Sequence, residues 1–323
     1  MNFKKLATLL GLCPALLIGA AASVSAEEYP TKPIKLIIPL APGGSADGVG
    51  RMVAKQMSDA WKQPVVVENR SGAAAAIGIA AVAKSPADGY TLLLTPVSIA
   101  TGKIYVKDPG FDSDKDFSHI TQLITTNYLV SVSQDFPAKN LAELVAYAKS
   151  NPNPIFHGAG AGGMYLAFEE FAQLADIKAT QVNYRGEALA ITGLAAGDTQ
   201  VVFSSLLAAK PFIDSKKIRP LAFASKERVS YAPQIPSSTE SGMPSLNIDF
   251  WFGLSAPAGT PPEIVKKVAD QMAIFMKQPD TVEKLKQLGF LPKTSSPDEF
   301  RRHVASERAR WTAVAKKAGI EPQ

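Results

Sequence analysis

The 323-residue chain contains a single cysteine, Cys13, near its N-terminus. The remainder has no thiol, so it cannot form a disulfide, a thiolate metal site or a cysteine nucleophile. Histidine is scarce as well: we expect His119 in a loop, His303 on an exposed helix, and His157 beside a glycine-rich loop within reach of a ligand. None accompanies a GxSxG, HExxH or Walker sequence. These absences predict a protein that is not an enzyme and holds no metal or cofactor.

The chain also lacks a run of five or more basic residues, and its formal net charge is only +5. A nucleic-acid-binding protein usually displays a strongly basic patch, so this composition argues against a nucleic-acid partner. Beyond the N-terminal segment there is no second long apolar run of the kind that predicts a membrane span.

The N-terminal segment has the pattern of a secretory signal peptide. Lys4 and Lys5 precede an apolar run over residues 6–22, and residues 24–26 offer small side chains for cleavage. A membrane anchor is the alternative, but two glutamates and a proline follow almost at once. We expect residues 1–26 to be a signal peptide and the mature protein to be periplasmic. Its formal net charge would then be +3, because the two lysines are removed.

Alternating strand and helix patterns predict an α/β fold. Residues 34–40 form an apolar run typical of a buried strand, residues 47–61 carry apolar side chains at helical spacing, and strands follow at 65–67 and 90–94. This order predicts a parallel sheet covered by helices, with ligands bound beyond the carboxyl ends of the strands. The same pattern repeats in the second half, and residues 250–255 read as a strand that returns to the first sheet.

We therefore predict a monomer of two lobes, each a mainly parallel sheet flanked by helices, with a ligand cleft between the lobes. Residues 27–125 and 245–323 are assigned to the first lobe and residues 126–244 to the second. Two chain crossings between such lobes would act as a hinge.

The loop Pro42 to Asp47 follows a strand and opens a helix. Gly43 and Gly44 allow close backbone approach, and a helix N-terminus offers unpaired N–H groups and a positive dipole, so an anion is the natural guest. An ordinary strand–helix turn in which Asp47 caps the helix explains the loop equally well.

A second glycine-rich loop formally matches the dinucleotide pattern GxGxxG at Gly158, Gly160 and Gly163. That fingerprint also needs an acidic residue about 20 positions further on, and residues 180–185 contain none. Export would also separate the protein from cytoplasmic nicotinamide cofactors. The loop is better interpreted as a second anion-accepting helix start, on the opposite lobe.

Polar residues that could contact a ligand follow two further strands. Arg185 follows the strand at 181–184, where a guanidinium can pair bidentately with a carboxylate. Ser204 and Ser205 follow the strand at 201–203. A surface position at a strand end is an equally good explanation for each.

Several long motifs, in order, resemble one family. They are YPTKPIKLIIPLAPGGSADGVGR from Tyr29 to Arg51, PVVVENRSGAAAAIG from Pro64 to Gly78, KSPADGYTLLL from Lys84 to Leu94, DFWFGLSAPAGTP from Asp249 to Pro261, and ERARWTAVAKKAGI from Glu307 to Ile320. Together they resemble the Bug family, the extracytoplasmic receptors of tripartite tricarboxylate transporters.

The resemblance implies a type II periplasmic-binding fold that holds a carboxylate in its cleft and delivers it to inner-membrane transporter subunits. The loops matching 42–47 and 160–163 would clamp one ligand carboxylate, and segments around Ser98, Arg185 and Ser204 would face the distal end of the ligand. The implied ligand-binding residues are Leu40, Pro42, Gly43, Gly44, Ser45, Asp47, Ser98, Gly160, Ala161, Gly162, Tyr165, Arg185, Gly186 and Ser204.

The sequence departs from the family pattern at the distal end. Tyr165 stands at a helix start where many relatives have His, Ser204 where many have Asp, and Arg185 where Lys is frequent. Ser204 removes the obvious partner for an ammonium group. We therefore expect a dicarboxylate or an aromatic carboxylate of the terephthalate type. A ligand sensor for a signalling partner and a secreted α/β hydrolase are the alternative functions.

Overall fold

The computed structural model describes residues 29–160 and 162–322. The predicted signal peptide, Cys13 and the predicted site residue Ala161 lie outside the described residues. No helix within these two ranges has the length and the apolar character that a membrane crossing requires.

Strands and helices alternate along most of the chain. The strands are β1 (Ile34–Ile38), β2 (Val65–Asn69), β3 (Thr91–Pro96), β4 (Phe117–Asn127), β5 (Leu129–Ser133), β6 (Ile155–Ala159), β7 (Ala179–Asn183), β8 (Val201–Ser204), β9 (Ile218–Phe223), β10 (Asp249–Pro257) and β11 (Leu291–Pro292). The helices are α1 (Ser45–Trp61), α2 (Ala76–Ala83), α3 (Ser98–Tyr105), α4 (Leu141–Ser150), α5 (Gly162–Ala175), α6 (Glu187–Ala196), α7 (Leu206–Asp214), α8 (Pro262–Phe275), α9 (Pro279–Gln287) and α10 (Pro297–Ala318), with a short 3₁₀ turn at Ala73–Ala75.

The strands form two sheets. The first has the order β11-β4-β10-β3-β1-β2, and the second has the order β7-β6-β8-β5-β9. We call the elements packed around the first sheet the first lobe and those packed around the second sheet the second lobe. The prediction that each sheet is mainly parallel is wrong: both sheets are mixed, because every pair that involves β4, β5 or β10, the strands beside the passages between sheets, is antiparallel. The strands predicted to be parallel, such as β1 with β2 and β3, are so.

The local signals in the sequence explain most elements. Helix α1 buries Val49, Val53 and Met57, which recur at helical spacing, and it ends where Lys62 adopts a left-handed conformation. Helix α10 begins with a reciprocal capping box between Ser296 and Glu299.

The two chain crossings between the sheets lie side by side. The amide of Tyr128, between β4 and β5, donates to the carbonyl oxygen of Ile248 at 3.2 Å, and Tyr128 accepts from the amide of Ala224 at 2.8 Å. The amide of Ile248 in turn donates to the carbonyl oxygen of Ala224 at 2.9 Å. The lobes are thus joined by two hydrogen-bonded segments. The lobe boundaries predicted after residues 125 and 244 remain a prediction.

Two histidines lie elsewhere than expected. His119 is buried within β4 and not in a loop, with Nδ1 2.9 Å from the Ser255 hydroxyl, and burial lowers its pKa to about 4. His303 is half-buried and not exposed, because its ring packs 5.0 Å from the ring of Trp251. Burial lowers the pKa of His303 as well. Both rings therefore belong to the packing of the first lobe.

The contact between α10 and β10 depends on a glycine. A Cβ at Gly253 would overlap the ring of Phe300 and lie 2.7 Å from the carbonyl oxygen of Thr121. We expect Gly253→Ala to lower the free energy of unfolding by about 1–3 kcal/mol through overpacking. Chemical denaturation measures the change, with Ser118→Ala on the partly exposed side of β4 as a control expected within about 0.5 kcal/mol of wild type. An unchanged midpoint in Gly253→Ala would contradict this packing.

Candidate functional site

Two adjoining cavities open between the lobes, and both are lined by Leu40 and Gly160. The narrow cavity has a volume of about 60 Å³ and is lined by Leu40, Ala41, Gly44, Ser45, Ala46, Pro96, Val97, Ser98, Tyr128, Gly160, Gly163, Met164, Gly186, Glu187, Phe250, Trp251 and Phe252. The wide cavity has a volume of about 930 Å³ and is lined by Pro39, Leu40, residues 71–75, Tyr105, Val106, Ala159, Gly160, Tyr165, Gln181, Asn183, Tyr184, Arg185 and residues 318–321. The loops after β1, β6 and β7 thus meet at one cleft.

The first glycine loop is held in place by Asp47. The amide of Gly43 donates to Asp47 Oδ2 at 3.2 Å, and Arg51 Nε donates to the same oxygen at 3.0 Å. Asp47 lies in the first turn of α1, while Gly44 occupies the N-cap position, so the alternative in which Asp47 caps the helix is wrong. Gly43 has φ +85°, a left-handed conformation that glycine adopts without strain.

The Asp47 carboxylate is kept charged by its neighbours. Burial alone would raise the pKa of this carboxyl, but hydrogen bonds from Arg51, Gly43 and Asn69 outweigh burial and hold the pKa below its ordinary value. The side chain thus orders the loop before α1 with a charge-assisted interaction.

The N-terminus of α1 already contacts a carboxylate, and it comes from the second lobe. Glu187, the first residue of α6, accepts from the amide of Ser45 at 3.1 Å and from the Ser45 hydroxyl at 2.9 Å, both through Oε2. Its other oxygen, Oε1, accepts from the amide of Ser205 at 2.6 Å. The helix starts of α1 and α7 therefore converge on one carboxylate group.

Sequence reasoning missed Glu187. It follows Gly186 at the start of a predicted helix, and an acidic residue there is common because it stabilises the helix dipole. Ser204 removes a carboxylate at its own position, but Glu187 lines the narrow cavity and places another carboxylate in the cleft.

The glycines of the second loop have a structural reason. A Cβ at Gly160 would overlap the backbone of Gly186 and Glu187, so the loops after β6 and β7 touch backbone to backbone. A Cβ at Gly163 would lie 2.9 Å from the Tyr128 hydroxyl oxygen. Close packing of the chain on itself accounts for these glycines, and helix α5 begins just after the loop, at Gly162.

Aromatic side chains and one cation line the wide cavity. The ring of Tyr165 lies 5.8 Å from that of Tyr105 on the other lobe, and burial with the nearby Glu169 carboxylate raises the pKa of Tyr165 to about 12. Arg185 is exposed on the same cavity. His157 lies behind this wall, fully buried and stacked 3.9 Å from the ring of Phe168, so it lines neither cavity, contrary to expectation. Burial lowers the pKa of His157 to about 3.

The structure brings most of the predicted site residues to the cleft. Those that line one or both cavities are Leu40, Gly44, Ser45, Ser98, Gly160, Tyr165, Arg185 and Gly186. Pro42 and Gly43 are exposed on the loop beside it, and Asp47 supports that loop from beneath. Ser204 is fully buried at the end of β8 and lines neither cavity, so its predicted role at the distal end has no support in the geometry.

Metal ligands do not cluster in the part of the chain that the structure describes. Over residues 29–160 and 162–322, no three His, Cys, Asp or Glu side chains are close enough together to hold an ion.

Comparison with known proteins gives a consistent result. Residues 49–320 match the family described as the tripartite tricarboxylate transporter family receptor. The chain is 31% identical over 325 residues to protein BugT of Bordetella pertussis, covering 99% of each chain.

Two solved structures extend this comparison to the fold. An R. palustris protein with adipate is 34% identical, with a TM-score of 0.87 over 91% of this chain and 100% of that one. The periplasmic binding protein BugD is 29% identical, with a TM-score of 0.84 over 91% of this chain and 100% of that one. The predicted two-lobed α/β fold of periplasmic binding proteins is therefore confirmed, with mixed sheets in both lobes.

The role of Asp47 in the first loop can be measured. We expect Asp47→Ala to lower the free energy of unfolding by about 1 kcal/mol at pH 7, because the amide of Gly43 loses its acceptor. A carboxyl whose pKa is depressed by folding stabilises the protein above the unfolded pKa, and this stabilisation is lost as the pH falls through the folded pKa. The difference between wild type and variant should therefore shrink below about pH 4.

The control is Asp59→Ala, which removes an exposed carboxylate from the same helix and should change stability by less than about 0.5 kcal/mol. Equal stability of wild type and Asp47→Ala across the whole pH range would show that the loop does not depend on this side chain.

Proposed function

Because the chain belongs to the tripartite tricarboxylate transporter receptor family, we propose that it captures a small dicarboxylate in the cleft and delivers it to the membrane subunits of a transporter. The observation that carries the proposal is the pair of hydrogen bonds that Ser45 donates to the Glu187 carboxylate. The start of α1 supplies an amide and a hydroxyl at 3.1 and 2.9 Å from one carboxylate oxygen. Donors arranged in this way fit the carboxylate of a ligand equally well.

Two earlier predictions are confirmed by the family. The resemblance to the Bug receptors is confirmed, since the relatives include BugT and BugD. The prediction that the chain is not an enzyme is confirmed, since the family is one of transporter receptors and the relative BugD is a periplasmic binding protein.

The distal end of the ligand would extend from the narrow cavity into the wide one. Arg185 is the basic side chain that lines the wide cavity, so it is the natural partner of a second carboxylate there. The rings of Tyr105 and Tyr165 form a wall along the path, which suits an aliphatic chain or an aromatic ring. The R. palustris relative was solved with adipate, a dicarboxylate, which supports this choice of class.

The location and partners follow from the same proposal. Cleavage of residues 1–26 would release the receptor into the periplasm as a monomer, where closure of the lobes on a ligand would create the surface that the membrane subunits recognise.

A thermal-shift screen followed by calorimetry tests the ligand class. Adipate, terephthalate, alanine and nicotinamide are compared at equal ionic strength, and a ligand that binds only the folded state raises its melting temperature. We expect at least one of the two dicarboxylates, adipate and terephthalate, to stabilise the protein. A screen in which only alanine or nicotinamide stabilises it would overturn the proposed class.

The role of Arg185 is tested with a matched pair of ligands. We expect Arg185→Gln to weaken adipate binding about tenfold, because a charge-assisted hydrogen bond is lost, and to leave hexanoate binding unchanged, because hexanoate has no second carboxylate. Arg302→Gln, an exposed arginine on α10, serves as the control. Equal losses for adipate and hexanoate would contradict a contact with the distal carboxylate.

A further inference from the structure

Glu187 differs from other acidic residues at helix starts in this protein. Glu143 and Glu299 bind their own N-cap residues, Asn140 and Ser296, as first-turn glutamates commonly do. Glu187 instead binds Ser45, which is 142 positions away in sequence and lies on the other lobe. Its hydrogen bonds therefore serve the contact between lobes.

Glu187 lies in close contact with the first lobe. A Cβ at Gly44, the N-cap of α1, would be in ordinary van der Waals contact with Glu187 Oε2, 3.5 Å away, so the carboxylate lies directly against the helix start. Directly before Glu187, a Cβ at Gly186 would lie 3.1 Å from the Ala41 Cβ of the first lobe. The loops of the two lobes thus meet tightly around this carboxylate.

We propose that Glu187 is a built-in competitor of the ligand. This inference rests on the proposed function, in which a ligand carboxylate takes the amide and hydroxyl of Ser45. Those two donors now serve Glu187 Oε2, so the ligand binds only after the Glu187 side chain has left the start of α1. Glu187 thereby sets the affinity of the receptor. The measured affinity is proportional to the fraction of molecules in which the amide and hydroxyl of Ser45 are free, and Glu187 lowers that fraction.

The same side chain also ties the lobes together. Oε2 is held by the first lobe and Oε1 by the amide of Ser205 in the second, so one carboxylate bridges the cleft in place of a ligand. A ligand that displaces Glu187 exchanges one bridge for another. An ammonium ligand would behave in the opposite way, because it would pair with Glu187 and need it.

Calorimetry with adipate separates these two behaviours. We expect Glu187→Gln and Glu187→Ala to bind adipate roughly tenfold more tightly than wild type, since the competing carboxylate is gone. Glu263→Ala, which removes a first-turn glutamate of α8 away from both cavities, should bind adipate like wild type. Weaker or unchanged adipate binding in both Glu187 variants would overturn the proposal, and Glu187→Gln keeps the side-chain volume should Glu187→Ala fold poorly.

A second measurement uses acetate in place of the receptor's own ligand. Removal of the Glu187 side chain frees the amides of Ser45 and Ser205, so acetate should raise the melting temperature of Glu187→Ala and not that of wild type or Glu263→Ala. Sodium chloride at the same ionic strength is the comparison for non-specific salt effects.

The two measurements also separate this inference from the proposed function. If no dicarboxylate binds wild type or variants while acetate stabilises Glu187→Ala, the dicarboxylate assignment fails and the carboxylate position at α1 stands. If adipate binds wild type while acetate leaves Glu187→Ala unchanged and the Glu187 variants gain no affinity, the competitor fails and the proposed function stands.

Discussion

The pair of crossings between the sheets is the constraint on which the cleft depends. Tyr128, Ala224 and Ile248 hydrogen-bond to one another through their backbones, so the two connections behave as one short link. The ring of Tyr128 packs 4.7 Å from that of Phe250, and both rings line the narrow cavity. The crossings therefore also form the floor of the narrow cavity. If the two crossings act as the predicted hinge, rotation of one lobe against the other changes the shape of this cavity.

Above this floor, the site is built from main-chain donors and hydroxyls. Among the described residues that line the narrow cavity there is no lysine or arginine, and the polar groups belong to helix starts, serines, Glu187, Tyr128 and Trp251. An anion held in this way is stabilised by partial charges that the backbone supplies. Arg185 stands apart, on the wide cavity, so one end of the cleft offers backbone amides and hydroxyls to an anion and the other offers a full positive charge.

The sequence allowed the fold class, the glycine loops and most cleft residues to be predicted, because those signals are local. The periodicity of the apolar residues alone predicts strand β1, followed by a Gly-Gly loop and α1. Strand β4 was missed because its polar side chains, such as Thr121 and Thr126, are buried and find partners at Ser295 and Gly289, over 160 positions away. Glu187 was missed for the same reason, since its role depends on Ser45 in the other lobe. Local patterns reveal elements, but they do not reveal which polar groups will meet.

The use of backbone amides at the start of α1 has a consequence for how such a receptor can diversify. A main-chain N–H is present whatever side chain its residue carries, proline excepted, so point substitutions leave the amides of Ser45 and Ser205 in place. The walls formed by Tyr105, Tyr165 and Arg185 consist of side chains, and each can be exchanged singly. Substitutions in the walls can therefore change which ligand fits the cleft. The backbone amides that can accept an anion are kept as long as the fold is kept.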